Sequence, residues 1–586
     1  MANAANQETT KATALWKVAA TCIALGAITT WPLIRFPLHL PADSTTDTFL
    51  FSWSFWWLRD SIVNLHSPFY SSILFYPEKA NLALATLSLP YGIFYVLLSW
   101  LPQDISIPVS FFLVIQFSIA ATGVAMFLFC REIGFSNRAA LYSGIFLTLS
   151  TIHLENLTRL HLGCMEMPIG SLYALLRLLK SKTVREAAWN GIFLGVMLTL
   201  LALSSQTYSL HFTIIGGILG LTYVLRNKSM LQHPWVYVGA GAAGITFLVL
   251  ALPYLIALKE FAGAYPFLPL GTLDPDVTRP FRPGVNQTTF KLLFPWWTMS
   301  VHNHIFPGLL IYIFAGFGFF KFKSNVFARW TFALIGLVGI MFYAGTHLNF
   351  GGTQTGITMP YHYFKQAIPI LQADRAPDRY FFLALIFLCV MAGVGVDYAF
   401  SRVHLTPARL KFLAVLLPVL IAFENHWDAN RFQKPSLIFP QTLERAARAK
   451  PGSVVMGLPP DLDSKHTFFL QVRTGAAIVD ADYPRLSPIL RYAPLRHAGL
   501  LDLFMEPGKL RGYPVEQQKT TCEKIRKTLA ENRIETIYVI DDVYKAGYQN
   551  RIAETRDLLR QCGWKRIDTV DPPSFILASV WEPGTN

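Results

Sequence analysis

The chain has 586 residues, of which 53% are hydrophobic and only 15% are charged, and its formal net charge is +14. A soluble domain carries about 25% charged residues, so this composition excludes an ordinary soluble protein. Repeated apolar runs are long enough to cross a hydrocarbon layer about 30 Å thick, and we therefore predict a polytopic α-helical membrane protein.

The apolar runs give the predicted transmembrane helices. They lie at 15–36, 86–103, 107–130, 139–152, 164–180, 187–205, 208–225, 235–258, 304–320, 329–346, 379–400 and 410–424. The first run lacks a small-residue cleavage site, so we expect it to be retained as a first helix, although an uncleaved signal anchor has the same pattern.

Basic residues between the runs set the predicted orientation. Fourteen Lys or Arg residues are concentrated in five short loops, at 130–138, 177–186, 226–229, 321–329 and 401–411. The positive-inside rule places such loops on the cytoplasmic side of the membrane. We expect this membrane to be the cytoplasmic, or inner, membrane of the cell. This placement accounts for the basic net charge, so no nucleic acid is expected as a partner.

One run does not fit this orientation as a full span. If 86–103 crossed the membrane, the basic loop at 130–138 would lie outside, and the run also contains Pro90, which interrupts a helix. We interpret it as a re-entrant or interfacial helix. About eleven spans remain, with a cytoplasmic N-terminus and an extracytoplasmic C-terminus.

The composition changes after residue 424, and this change defines two predicted domains. Residues 1–424 form the transmembrane domain, and residues 425–586 alternate short β-rich runs with helical patterns, as expected of an extracytoplasmic α/β domain. Cys522 and Cys562 lie in this tail and could form a disulfide there. The other cysteines, Cys22, Cys130, Cys164 and Cys389, lie in or beside apolar runs and are expected to be small core residues.

Residues 43–60, DSTTDTFLFSWSFWWLRD, follow the first run and combine acids with aromatic rings. The rings recur at helical spacing, which favours an amphipathic helix in the membrane interface. Asp47 directly precedes this helix and could be its N-cap, and Asp43 could be a solvated loop residue. A carboxylate at this rim could equally take a proton from an acceptor hydroxyl.

These segments carry a family resemblance. DTFLFSWSFWW, then ILFYPEKANLAL, then a long span with a basic cytoplasmic loop, resembles the start of the GT-C-fold integral membrane glycosyltransferases. STIHLENLTRLHLGCMEMPIG and QADRAPDRYFFLAL are similar to a bacterial, polyprenyl-phosphate-sugar-dependent subset, and the likeness covers most of 15–424. The resemblance implies that an Asp of the first external loop is the catalytic base. A paired acidic motif of the family is absent and Thr46 replaces a frequent Gly, so both Asp47 and Asp43 stay candidates.

Arg375 and Arg379 flank Pro377 just before a late span. They could anchor the helix at lipid headgroups, or a guanidinium could bind the phosphate of a lipid-linked sugar. Arg279 and Arg282 in the second large external loop are weaker candidates for the same task. Asp374 and Asp378 are expected to pair with these arginines.

A short predicted external loop holds many ionisable groups in an otherwise apolar region. These groups, together with one tyrosine beside the next external turn, could line a sugar or acceptor pocket or could simply be solvated: His153, Glu155, Arg159, His161, Glu166 and Tyr208. No P-loop or GxGxxG pattern is present in the sequence, so a cytoplasmic nucleotide-sugar site has no support.

The expected function is sugar transfer from a polyprenyl-phosphate donor to a glycan, lipid or protein acceptor on the external face, with inversion. Membrane lipids are the expected surroundings. The alternatives are a transporter or flippase of lipid-linked sugars, or a GT-C-like scaffold without catalysis. No cofactor is certain, and a divalent metal stays an open alternative.

Overall fold

The computed structural model describes residues 2–41, 47–264, 272–284, 287–300, 303–321, 326–372, 374–402, 406–425, 432–433, 435, 441–449, 454–458, 465–479, 490–540, 548–567 and 578–583. The chain divides into two compact units. The first unit comprises 1–35, 112–255 and 265–430, and the second comprises 36–111, 256–264 and 431–586.

The helices are as follows in chain order: α1 Ala2–Thr29, α2 Trp31–Arg35, α3 Thr48–Val63, α4 Gly92–Leu98, α5 Gln103–Ile133, α6 Asn137–Thr148, α7 Thr151–Glu155, α8 Leu160–Gly163, α9 Glu166–Leu179, α10 Val184–Ser204, α11 Gln206–Arg226, α12 Pro234–Ala264, α13 Thr288–Leu293, α14 Leu309–Lys321, α15 Val326–Tyr343, α16 Pro360–Ala367, α17 Pro369–Gln372, α18 Phe381–Arg402, α19 Pro407–Glu424, α20 Gln441–Ala449, α21 Lys465–Thr474, α22 Ala493–His497, α23 Leu501–Met505, α24 Val515–Glu531 and α25 Tyr548–Gln561. The strands are β1 Leu40–Pro41, β2 Tyr70–Ser71, β3 Ala80–Asn81, β4 His347–Phe350, β5 Thr353–Thr358, β6 Phe432–Gln433, β7 Val454–Leu458, β8 Ala477–Ile478, β9 Ile534–Ile540, β10 Trp564–Ile567 and β11 Ala578–Pro583.

Seven helices within the described residues are long and apolar enough to cross a membrane. They coincide with seven of the eleven predicted spans: α5, the 160–179 segment, α10, α11, α12, α15 and the 377–402 segment. The other four predicted spans correspond to α1, α6, α14 and α19, so the count of eleven stays a prediction. The chain is a multi-pass membrane protein.

The apolar run at 86–103 forms no long helix. A 3₁₀ turn, Leu89–Tyr91, contains Pro90 and leads into the seven-residue helix α4. At a rise of about 1.5 Å per residue, α4 is too short to cross a hydrocarbon layer.

Helix α18 is the centre of the first unit. Most of its residues are buried, and it packs against α6, α14 and α15. Its packing with α14 depends on glycine, because a Cβ built on Gly318 would lie 1.9 Å from the carbonyl oxygen of Met391, and one on Gly395 would lie 1.9 Å from that of Phe314. Glycines at such crossings let two helix backbones approach closely.

The second unit contains an α/β sheet. Within the described residues its strand order is β10-β11-β9-β7-β8, with β7 parallel to β8 and β9, and β11 antiparallel to β9 and β10. Cys522 of α24 forms a disulfide with Cys562, directly after α25. Cys22, Cys130, Cys164 and Cys389 form no disulfide and are buried, which confirms their prediction as core residues.

Helix α3 carries the aromatic rings of the opening segment, and its burial corrects their interpretation. Phe49, Trp53 and Trp57 are almost fully buried rather than exposed in the membrane interface. Within the second unit Phe49 and Trp53 pack on α21: Phe49 lies 5.6 Å from Phe469, and Trp53 Nε1 donates to Gln471 Oε1 at 2.6 Å. Trp57 stacks on Trp53 and donates from Nε1 to the carbonyl oxygen of Pro68. The helical spacing was compatible with either environment, since it shows an apolar face but not what covers that face.

The close crossing of α14 and α18 leads to a prediction. Gly318→Ala should destabilise the protein by about 1 to 3 kcal/mol, because its new methyl group meets backbone that cannot rotate away. Gly316→Ala on the same helix is the matched control, since a Cβ there meets no atom within 4 Å. Thermal unfolding in detergent measures both, and equal midpoints for the two variants would contradict the crossing.

Candidate functional site

A partly enclosed cavity lies in the first unit, with a water-accessible volume of about 100 Å³. Its wall combines charged and polar groups with apolar ones: Ile152, Asn156, Arg159, Leu162, Tyr208, His304, Ile305, Ala376, Asp378, Arg379, Phe381 and Phe382. Such a mixture suits a ligand with an anionic part and a greasy part.

The charged side of the cavity comes from the segment that leads into α18. Pro377 begins a 3₁₀ turn, Pro377–Tyr380, as expected of a proline at a first helical position. This turn places Asp378 and Arg379 at the beginning of α18, which belongs to the most buried of the seven candidate spans among the described residues. Two charged side chains are thereby held at the end of a rigid apolar element.

Asp378 pairs with histidine rather than with arginine. Its Oδ2 lies 3.3 Å from His304 Nε2, whereas Arg379 and Arg279 act on its carboxylate only through longer-range electrostatics. The prediction that Asp378 forms an ion pair with the arginines is therefore wrong. Asp374 instead accepts from Tyr361 Oη at 3.0 Å.

Arg379 reaches across to the beginning of α11. Its Nη1 lies 3.4 Å from Thr207 Oγ1, and within the described part of the chain this is its one side-chain hydrogen bond. A guanidinium carries five N–H donors, so most of them are available to a ligand. Tyr208, the next residue, donates from its hydroxyl to the carbonyl oxygen of Leu162 at 2.5 Å and packs 4.7 Å from the Phe382 ring.

Helices α7 and α8 form another wall of the cavity. Asn156 donates to the carbonyl oxygen of Ile152 at 2.7 Å, and Arg159 lies half-buried just before α8. Gly163 allows this fold, because a Cβ there would lie 2.7 Å from the carbonyl oxygen of Asn156. The turn thus brings Asn156 and Arg159 to one surface.

His153 and Glu166 were predicted to line the pocket, but neither is among the residues that form the cavity wall. Both are buried in a polar cluster with α5, where Glu166 Oε2 accepts from Ser118 Oγ at 2.9 Å and from Thr122 Oγ1 at 3.1 Å. His153 Nδ1 lies 2.7 Å from the carbonyl oxygen of Thr148. Burial lowers the pKa of His153 to about 4, despite this hydrogen bond, so its imidazole is neutral near pH 7.

The remaining predicted binding residues are not among those that line the cavity. Glu155 ends α7 and His161 lies in α8, and both are half-buried. Arg375 is exposed, and its backbone carbonyl accepts from Leu273 N at 2.8 Å. Arg279 and Arg282 flank a 3₁₀ turn, where their carbonyl oxygens accept from Asn303 Nδ2 at 2.7 and 2.6 Å.

Asp47 occupies the N-cap position of α3 in the second unit. It makes no side-chain capping hydrogen bond, although its carbonyl oxygen accepts from Phe51 N at 3.0 Å. Helix capping therefore does not occupy its carboxylate. Asp43 lies outside the described residues.

No cluster of three or more His, Cys, Asp or Glu side chains suited to a metal ion occurs among the described residues. The cavity residues that sequence analysis missed are His304 and Asn156. Neither belongs to a recognisable spacing pattern, since each reaches the cavity through a loop or a short helix whose placement depends on tertiary packing.

No protein-family model matches the sequence, and no curated protein matches it. Solved structures are similar. The mycobacterial arabinofuranosyltransferase AftD matches with a TM-score of 0.60 and 14% identity, over 98% of this chain and 40% of that one. The Archaeoglobus fulgidus oligosaccharyltransferase, in complex with Zn and sulfate, matches with a TM-score of 0.50 and 12% identity, over 96% of this chain and 72% of that one.

Both proteins are GT-C-fold membrane glycosyltransferases. The likeness confirms the GT-C fold that the sequence resemblance predicts. The chain spans about 40% of the length of AftD.

The buried cluster around Glu166 leads to a prediction. Glu166→Leu should lower stability by about 1 to 3 kcal/mol, because the Ser118 and Thr122 hydroxyls lose a buried acceptor. Glu166→Gln keeps an acceptor oxygen and should stay within about 1 kcal/mol of the native protein. Thermal unfolding compares them, and an equal loss in both variants would mean that the negative charge, not the hydrogen bonds, is what matters.

Proposed function

We propose that the protein is an integral membrane glycosyltransferase of GT-C type that moves a sugar from a polyprenyl-phosphate carrier to an acceptor on the external face. The observation that supports the proposal is the cavity before α18, which is lined by both guanidinium groups and aromatic rings. A lipid-linked sugar phosphate has the same two parts, an anion and an apolar chain.

Arg379 and Arg159 would bind the phosphate. Guanidinium groups bind phosphate oxygens through paired N–H donors, and they would stabilise the negative charge that grows on the phosphate as the glycosidic bond breaks. Asp378, which precedes Arg379 and pairs with His304, would partly offset the positive charge of the two guanidinium groups. Phe381, Phe382 and Ile152 offer an apolar surface to the first isoprenoid unit.

Asp47 would be the general base. The acceptor hydroxyl would attack the anomeric carbon, the bond from that carbon to the phosphate oxygen would break, and the hydroxyl proton would pass to the carboxylate. Attack from the face opposite the phosphate inverts the anomeric configuration. The base role rests on the family resemblance.

The other predicted residues take supporting parts in this proposal. Tyr208 would hold the α7–α8 wall through its bond to Leu162, and His153 and Glu166 would support that wall from behind. Arg375, Arg279 and Arg282 would add to the positive potential that attracts a phosphate, and Glu155 and His161 would border the acceptor side.

Asp47→Asn tests the base. Sugar transfer from polyprenyl-phosphate donors in proteoliposomes should fall by at least about 100-fold while donor binding is kept, because the amide cannot accept the proton. Asp43→Asn is the matched comparison and should stay near the native rate.

The reverse result would make Asp43 the base. Labelled lipid that changes leaflet without any sugar transfer would favour a transporter, and donor binding without turnover in the native protein would favour a scaffold.

Arg379→Gln tests the phosphate site. The ratio kcat/KM for the lipid-linked donor should fall by about 100- to 1,000-fold, and Arg379→Lys should fall less, since it keeps the charge but loses the paired donors. Arg185→Gln, an exposed change at the beginning of α10, is the control and should leave kcat/KM unchanged. A native rate in Arg379→Gln would remove this residue from the site.

A further inference from the structure

A short external segment exposes apolar side chains to an unusual degree. Within residues 291–296, Leu292 is 75% exposed, Leu293 62% and Trp296 78%, and Lys291 is exposed beside them. The sequence places this segment in an external loop, and its exposure is not explained by the proposed chemistry. We call it the 291–296 segment.

The residues directly before and after the 291–296 segment pack against the rest of the first unit. Phe290 is only 3% exposed, and its ring lies 5.2 Å from Phe306 and 5.6 Å from Trp297. Thr289 Oγ1 donates to the carbonyl oxygen of Phe423 at 2.7 Å, near the C-terminal end of α19. The exposed leucines are thus presented by an anchored turn.

The contact between Thr289 and Phe423 lies at the junction of α19 and α14. Glu424, the last residue of α19, accepts hydrogen bonds from the backbone N–H groups of Leu309 and Leu310 at the beginning of α14. Exposed apolar side chains continue along both helices from this junction: Leu420 and Phe423 on α19, and Leu309, Ile313 and Phe317 on α14. Both helices are predicted spans, and the exposed face of an apolar membrane helix contacts lipid, so a lipid-covered surface along them would continue into the 291–296 segment.

The composition of the segment matches the boundary between headgroups and acyl chains. Trp prefers headgroup depth, leucine side chains enter the acyl region, and a lysine reaches phosphate groups. We propose that the 291–296 segment is inserted in the outer-leaflet interface and holds the bilayer next to the cavity, so that a lipid-linked donor enters from the membrane side.

The link to the cavity is a chain of aromatic contacts. Trp297 packs 5.6 Å from Phe306, and Phe306 follows Ile305 and His304, which both line the cavity. Membrane insertion of the segment would therefore fix the position of the His304 side of the wall. This second part of the inference rests on the proposed function, whereas the insertion itself does not.

The test uses the full-length protein in proteoliposomes and measures depth without activity. Leu293→Cys introduces one exposed thiol, because the six native cysteines are buried or disulfide-bonded, and it is labelled with an environment-sensitive fluorophore. Leu248→Cys, 55% exposed on α12, is the control for the acyl region, and Gln354→Cys on the exposed strand β5 is the control for water. Lipids brominated at different depths and aqueous iodide serve as quenchers.

The label at position 293 should be quenched most by lipids brominated near the headgroup, the label at 248 by lipids brominated deeper, and the label at 354 by iodide. Quenching of the 293 label by iodide alone would overturn the proposal. Protection from all quenchers, with self-quenching between labels, would identify a second copy of the chain as the covering surface and would overturn it equally.

A second variant separates this inference from the proposed function. Leu292→Ser with Leu293→Ser should raise KM for the lipid-linked donor by roughly tenfold and leave kcat near the native value, because only access from the bilayer is weakened. An unchanged KM beside clear lipid quenching would overturn the entry role. If the native protein transfers no sugar, the proposed function fails while the depth measurement still decides the insertion.

Discussion

The close approach of α18 to its neighbours is the constraint on which the first unit depends. Gly318 and Gly395 let α14 and α18 touch backbone to backbone, and a Cβ on Gly393 would lie 2.3 Å from the carbonyl oxygen of Ala139 on α6. Helices that share a lipid environment gain nothing from hiding apolar surface from water, so such tight packing is their main means of fixing position. Because α18 is fixed in this way, the positions of Asp378 and Arg379 in the turn before it are fixed as well.

Two glutamates buried in the first unit each have hydrogen-bond donors close by. Glu166 receives two hydroxyls, and Glu424 receives two backbone donors at the beginning of a helix. Arg379 in the cavity is less well satisfied. Its guanidinium has five N–H donors, and within the described residues it makes one side-chain hydrogen bond, to Thr207. An under-satisfied cation beside aromatic rings is costly for folding and useful for an anionic ligand.

Sequence patterns predicted the helical membrane fold and the short helix at 86–103, because hydrophobic length is a local property. Arg379 and Tyr208 were predicted as site residues because each is a polar residue at the edge of a long apolar run, and both line the cavity. Other residues depended on long-range packing. His304 reaches the cavity from a loop with no periodicity, and His153 was placed in the pocket although its neighbours on α5 enclose it.

The bond between Trp53 and Gln471 joins residues 418 positions apart, and this separation has a consequence for synthesis. At about 5 to 20 residues per second, α3 leaves the ribosome roughly 20 to 80 seconds before its partner helix α21. During that interval the rings of Phe49 and Trp53 lack the cover that α21 gives them in the folded protein. The burial of these rings is therefore completed only after residues 465–474 have been synthesised, late in the translation of the chain.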